Sequence, residues 1–448
     1  MLRMIKNSFL KINYRLLFSL LVIGFVPTLY TTLRTFFLGQ FPSEYSYSVA
    51  GQLAWVNLLY EILNEAIIFP LFFFVGRVIT KKEELTNCVR SGMFITFCIY
   101  SVLSLLIIIL INPLLSFMAT NKDIVTASAQ YIRIESVAAV FSVLANFALV
   151  VLVALNRTGY LYILTFTRLI LTVLFDIFLV SDFDLSLKLG VNGIGFSNII
   201  VNILILILSM IIMEREDVRI FAKQKLSFTW TKGFLKVGGL SGLESFVRNI
   251  VYMLMIVRMV NVVNEQGTYW VANNFIWGWF LLPVTQLGEY IKRDVATDKT
   301  AIRQKSLGYF VITAVICFTW FITIPFWKPF MQNILGFDDV DKLFGLVMVL
   351  VGFYVVYAFQ NIFDATFYGL GKTEYMLFES IITNVIYYGG AFILYVSGIW
   401  TPTLTGIALL FGIGTAFDGL VSFGAYIHLL RKKGVSLFDS DVRRKEKG

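Results

Sequence analysis

Apolar runs, each about as long as a membrane crossing, alternate with short polar stretches along the whole of this chain. A helix needs about 20 mostly apolar residues to cross a hydrocarbon core of about 30 Å. Twelve runs meet that requirement, at roughly 16–38, 49–75, 91–117, 131–154, 160–181, 192–213, 234–259, 268–291, 306–327, 344–369, 376–398 and 403–430. They are longer than membrane β-strands and lack their alternation, so helices are predicted, which satisfy their own peptide groups where no water reaches. The widest interruption, Glu214 to Lys232, opens with the charged run Glu214-Arg215-Glu216-Asp217. It separates residues 1–215 from 233–430, six spans each, with 216–232 as a linker and 431–448 as a charged tail expected to be disordered.

The halves repeat. Leu155, Thr158 and Tyr160 recur 215 positions later as Leu370, Thr373 and Tyr375, each triplet at the junction between two spans. Nearly the same offset carries Gly92, Pro113 and Asp123 onto Gly308, Pro329 and Asp339, and Gly193 onto Gly406. Because six is even, the second half re-enters the membrane with the orientation of the first. The repeats are then parallel, related by an axis along the membrane normal, and transporters commonly hold substrate between such repeats. The predicted fold is an all-α membrane protein of twelve transmembrane helices in two parallel six-helix bundles around a central cavity.

Composition narrows the function. A chain that is 58% hydrophobic, 16% aromatic and 15% charged cannot hide its apolar surface in one soluble core. With both termini cytoplasmic, the inside segments hold 28 of the 37 Lys and Arg, as the positive-inside rule requires. The net charge of +9 therefore records insertion. Nucleic acid is not an expected partner, since the basic residues are scattered over short loops. The basic start, Arg3, Lys6, Lys11 and Arg15, leads into a span longer than a signal-peptide core, read as the first membrane helix. Cys88, Cys98 and Cys317 have neither an even count nor metal-ligand spacing, so no disulfide or metal is assigned. With one His and no phosphate loop, no enzyme constellation and no cofactor is expected.

Several segments carry a family resemblance. Tyr131-Ile132-Arg133-Ile134 opens the fourth span and Ala154-Leu155-Asn156-Arg157-Thr158 closes it, with Gly369-Leu370-Gly371-Lys372-Thr373 as the second-half counterpart. Val173-Leu174-Phe175-Asp176 precedes Leu189-Gly190-Val191-Asn192-Gly193-Ile194, and the first span carries Pro27 and then Thr35-Phe36-Phe37-Leu38-Gly39. In this order, over about residues 15–430, they resemble the multidrug and toxic-compound extrusion (MATE) transporters. That family lies within the superfamily that also holds lipid-linked oligosaccharide and peptidoglycan-precursor flippases. The resemblance implies the fold and export more strongly than the driving ion or an organic-cation substrate; a monomer among membrane lipids is expected. Three departures stand out. Many family members have a carboxylate implicated in cation coupling where this chain has Arg34. The usual proline near the start of the seventh helix is missing from Gly238-Gly239-Leu240, leaving glycine flexibility in place of a fixed kink. Asp364 does not fall cleanly on the family's carboxylate position in the tenth helix.

An ionisable side chain near a helix centre costs about 2.5–3.5 kcal/mol on insertion scales, so it should face the protein interior and find a partner. Arg34, Glu61, Glu65, Arg168 and Asp176 are such residues in the first half; Glu244, Arg248, Asp364 and Glu379 in the second. Asn57, Glu61 and Glu65 step by four along the second span, joined by Asn64. Arg168, Thr172 and Asp176 do the same on the fifth, and Tyr357, Asn361, Asp364 and Tyr368 line one side of the tenth. Two carboxylates on one face, Glu61 and Glu65, suit a group that takes up and releases a proton; the alternatives are a polar helix interface or pairing with Arg34. Glu244 and Arg248 either neutralise each other or serve a substrate. Glu61, Glu65, Asp176 and Asp364 are thus the ion-coupling candidates. Arg34, Asn57, Arg168, Glu244, Arg248, Asn361 and Tyr357 are the substrate-cavity candidates. Glu289, Asp418 and His428 read as boundary residues near cytoplasmic ends.

The expected function is a secondary exporter, multi-pass in a prokaryotic plasma membrane. It would use a proton or sodium gradient to move a small or amphipathic compound by alternating access. The alternative is a flippase or exporter of an anionic, lipid-linked compound, because the forks of Arg34, Arg168 and Arg248 match carboxylate and phosphate geometry. Arg34 should point into the first bundle or the central cavity, either tying down Glu61, Glu65 or Asp176 or attracting an anionic substrate.

Overall fold

The computed structural model describes residues 7–40, 45–78, 81–155, 157–298 and 300–433. Among them no strand occurs, and twelve helical rods follow one another. α1 is Tyr14–Gly39, and α2 runs through Tyr45–Gly51, Leu53–Leu63, a π-turn at Asn64–Ile68 and Phe69–Val78. α3 is Lys82–Phe117, α4 Val125–Ala154, α5 Thr158–Leu179 and α6 Gly190–Arg215. α7 joins Thr231–Tyr252, a π-turn at Met253–Val257 and Arg258–Val262; α8 joins Gln266–Phe275, a π-turn at Ile276–Phe280 and Leu282–Thr297. α9 is Ser306–Asn333 and α10 Val340–Gly369; α11 joins Thr373–Ile382, a π-turn at Thr383–Tyr388 and Gly389–Val396; α12 is Leu404–Lys432. Ten of these, all but α2 and α8, are long and apolar enough to cross a membrane. The tail expected at 431–448 lies outside the described residues from 434 onward.

Several helices outrun their apolar cores. α3 begins at Lys82, well before the run at 91, because Glu83 and Glu84 in its first turn favour the positive end of the helix dipole. α9 continues past 327 with Pro325 and Pro329 inside it.

The sequence repeat is visible in the backbone. Leu155 caps α4 at φ −70°, ψ 1°, and Leu370 caps α10 at φ −82°, ψ −8°. Arg157 opens α5 at φ −95°, ψ 55°, and Lys372 opens α11 at φ −104°, ψ 51°. The N–H of Arg157 bonds the Leu152 carbonyl at 3.0 Å, as that of Lys372 bonds the Phe367 carbonyl at 2.8 Å. Between Leu370 and Lys372, Gly371 takes φ +67°, a left-handed cap that a side chain disfavours. Equivalent residues therefore make equivalent turns.

Packing divides the chain differently from the linker. One compact unit, here the N-terminal unit, comprises Leu29–Val271 with Ile334–Phe337; the other, the C-terminal unit, comprises Met1–Thr28, Ala272–Asn333 and Asp338–Gly448. The boundary within α1 falls next to Pro27, whose missing N–H interrupts the helical ladder. In this division α7 packs within the N-terminal unit, on α2. A Cβ on Gly238 would collide with the Ala66 carbonyl of α2, and one on Gly242 with the Ala66 side chain. The reading of Gly238 as a source of flexibility is corrected accordingly: its lack of a side chain lets α7 lie directly on α2. In the interior of the N-terminal unit, α4 packs against α3 and α6, with Phe147, Ala148, Val151 and Leu152 fully buried. In the C-terminal unit the apolar core gathers Tyr290, Tyr309, Phe367 and Tyr426. In lipid such contacts stabilise chiefly by close packing, since water is not there to drive apolar association.

Candidate functional site

Two groups of polar side chains lie inside the helices, one in each unit. In the N-terminal unit they surround a cavity of about 430 Å³ lined by α1, α2, α3, α4, α5 and α6. Arg34 enters it from α1. Its Nε donates to Asp176 Oδ2 at 2.6 Å and its Nη2 to Asp176 Oδ1 at 3.2 Å. The same Nη2 donates to Asn198 Oδ1 at 2.8 Å, and Asn198 Nδ2 donates to Glu135 Oε1 at 2.8 Å. Tyr30 sits one turn from Arg34, with the guanidinium 5.4 Å from its ring centre. Asp176 is fully buried, so a two-pronged pair of this kind gains most from a planar guanidinium.

Of the stripe expected on α2, Asn57, Glu61 and Asn64 line the cavity. Glu65 departs from it. The π-turn beginning at Asn64 widens the helix, and Glu65 instead accepts a bond from Ser241 of α7 at 3.4 Å. Arg248 of α7 gathers three carboxylates, lying 3.2 Å from Glu244, 3.4 Å from Glu61 and 3.8 Å from Glu65. Glu244 and Arg248 thus join α7 to α2 rather than forming an isolated pair. On α5, Arg168 and Thr172 face the cavity and Asp176 takes Arg34.

The C-terminal unit holds the second group. Ser422 Oγ of α12 lies 2.8 Å from Glu379 Oε2 and 3.3 Å from Asp364 Oδ1. Asp418 accepts from Gln360 Nε2 and from Thr383 Oγ1, each at 2.6 Å. Glu379 and Asp364 are thus brought together on one hydroxyl. None of the three carboxylates makes an ion pair among the described residues. Asp418, read as a water-side boundary residue, is in the middle of α12 and belongs to this cluster, in which Glu379 is buried and Asp364 and Asp418 are partly exposed. The other two candidates on α10 contact α8. Asn361 donates to the Val284 carbonyl of α8 at 2.8 Å, and the Tyr357 ring lies 5.5 Å from that of Trp277. Glu289 pairs with Lys292 at 2.6 Å near the end of α8.

Two contributors escaped the sequence reading, Glu135 and Asn198. Glu135 lay close to the expected start of its span at 131, yet α4 begins at Val125 and carries it inward. Asn198 and Asn202 share a face of α6 at i,i+4, which was the available signal; a neutral amide in an apolar run is easily passed over.

This arrangement of helices is shared with solved transporters. An inward-facing multidrug resistance MATE family transporter of the MOP superfamily superposes with a TM-score of 0.72, covering 90% of this chain and 94% of that one at 18% identity. The chain has the MATE transporter fold. An outward-facing transporter of the same description gives a TM-score of 0.64 at 18% identity, covering 94% of this chain and 96% of its own. A MATE in complex with MaD3S gives 0.68 at 17% identity, covering 94% and 95%. Residues 25–178 match the MatE family model, a stretch that runs from α1 through Asp176 and so includes both partners of the Arg34 pair. No curated protein sequence matches the chain.

Proposed function

We propose that this MATE-fold chain is a secondary active exporter of a small or amphipathic compound, working by alternating access. Its fold is shared with MATE transporters in inward- and outward-facing conformations. The driving ion is a proton, taken up by the carboxylates of Asp364, Glu379 and Asp418. The observation that carries this reading is the grouping of three carboxylates with neutral partners, Asp364 and Glu379 on Ser422 and Asp418 on Gln360 and Thr383, with no basic group at salt-bridge distance among the described residues. Like charges held this close cannot all remain ionised, so the cluster holds a proton in one state of the cycle and loses it in another. The other coupling candidates are already compensated, Asp176 by Arg34 and Glu61 and Glu65 by Arg248.

Purified protein in liposomes, tested with a cationic dye, an anionic dye and a labelled lipid, identifies the transported class. An imposed proton gradient should accelerate flux in the wild type and in Glu289→Gln, while Asp364→Asn and Glu379→Gln should keep only downhill flux that the gradient does not accelerate. Full flux in both variants, or flux driven by sodium without a proton gradient, would overturn the coupling assignment.

A further inference from the structure

The cavity of the N-terminal unit contains two guanidinium groups, and they are treated unequally. Arg34 is saturated by Asp176 and Asn198. Arg168 makes no hydrogen bond or ion pair with the described residues, and its Nη2 is buried without a partner. The acids lining the cavity are engaged elsewhere, Glu135 by Asn198 and Glu61 by Arg248, and Asp176 on the same helix is held by Arg34. A desolvated cation with an unused donor is costly unless something supplies acceptor oxygens. Around it the wall offers neutral groups that donate as well as accept, Asn57, Asn64, Asn146, Asn202 and Thr172. The volume of about 430 Å³ falls among pockets that take small molecules, roughly 300–1,000 Å³.

We infer that this cavity binds the anionic head of its ligand, a carboxylate or a phosphate, on the free fork of Arg168. The inference deepens the export reading by giving its substrate an acidic head group, and it rests on that reading only for the word substrate. A planar fork presents two parallel donors to such a head, and the amides hold the polar atoms next to it. Asn64, itself bonded by Tyr100 at 2.6 Å, is one of these fixed amides.

The test is equilibrium binding to the full chain in nanodiscs with no gradient, read by fluorescence anisotropy with carboxyfluorescein and with its methyl ester. Carboxyfluorescein should bind more tightly than the ester. Arg168→Gln should weaken it about 10- to 100-fold, the worth of a charge-assisted hydrogen bond, and Arg168→Lys should recover only part. Displacement by dihexanoyl phosphatidic acid but not by inorganic phosphate assigns the head to a lipid, and displacement by both assigns it to a free anion. Unchanged affinity in Arg168→Gln, or equal affinity for acid and ester, overturns the inference. Should that variant not fold, the wild-type chain still decides: carboxyfluorescein must raise its melting temperature and the methyl ester must not. Because no gradient is present, Asp364→Asn should leave this binding intact, so failure of the anion site and failure of proton coupling give different results.

Discussion

Arg34 is a cation that cannot leave. Held by both oxygens of a fully buried Asp176, it gives that carboxylate a fixed counter-charge. Removing one partner of a buried pair costs about 3–5 kcal/mol because the other charge stays uncompensated. Arg34→Ala should therefore lower the melting temperature sharply, and adding Asp176→Asn should recover most of the loss; a double variant no more stable than the single one would show that the pair is not the source. An exposed pair makes a useful contrast. Lys82 lies 2.6 Å from Asp217 and holds its carboxyl below the ordinary value of 3.8. A depressed carboxyl contributes stability above its unfolded value and loses it as pH falls through the folded one. Asp217→Asn should thus cost a little at neutral pH and nothing once the medium is acidic enough to protonate the wild-type carboxyl, as melting curves at the two pH values would show. Residues such as Arg34 and Asp176 were legible in the sequence because charge inside an apolar run is expensive and demands a reason. Which carboxylate Arg34 would choose was not, since Glu61, Glu65 and Asp176 all lay within the range of possibilities until the helices were placed.

At the scale of elements, the number, order and type of helices followed from the apolar runs, and the junctions from the repeat, because hydrocarbon thickness and backbone satisfaction leave few solutions. Local departures from the α-helix were not legible. The π-turn at Asn64–Ile68 moves Glu65 off the stripe that four-residue spacing predicts, and nothing in periodicity alone announces an extra residue per turn. The role of Gly238 was misread for a related reason: flexibility and close approach call for the same residue. Two neighbouring glycines separate these roles. Gly238→Ala forces a Cβ against the Ala66 carbonyl and should destabilise by about 1–3 kcal/mol, the usual cost of overpacking. Gly239 has open space around it, so Gly239→Ala should be neutral or stabilise by about 0.5–1 kcal/mol through helix propensity. Equal melting temperatures for the two variants would return Gly238 to the flexible reading.

Across the whole molecule, the repeat of backbone turns is not matched by a repeat of charge. Each carboxylate around the N-terminal cavity has a basic or amide partner, Asp176 with Arg34, Glu61 with Arg248 and Glu135 with Asn198. Among the described residues, the clustered carboxylates of the C-terminal unit, Asp364, Glu379 and Asp418, bond hydroxyl and amide groups and no basic one. One fold thus carries two electrostatic designs, and under the proposed proton coupling a proton released or taken up would change the net charge of one and leave the other fixed. The pH dependence of transport should then belong to the C-terminal unit. In liposomes held at a constant proton gradient while absolute pH is stepped, initial dye flux in Glu379→Gln should lose its dependence on pH. Arg34→Ala with Asp176→Asn should keep that dependence, whatever its rate, because the residues it alters do not exchange protons in the cycle. If the double variant flattens the profile while Glu379→Gln preserves it, proton coupling lies in the N-terminal unit, and the Arg34 pair is a switch that opens during turnover instead of a permanent counter-charge.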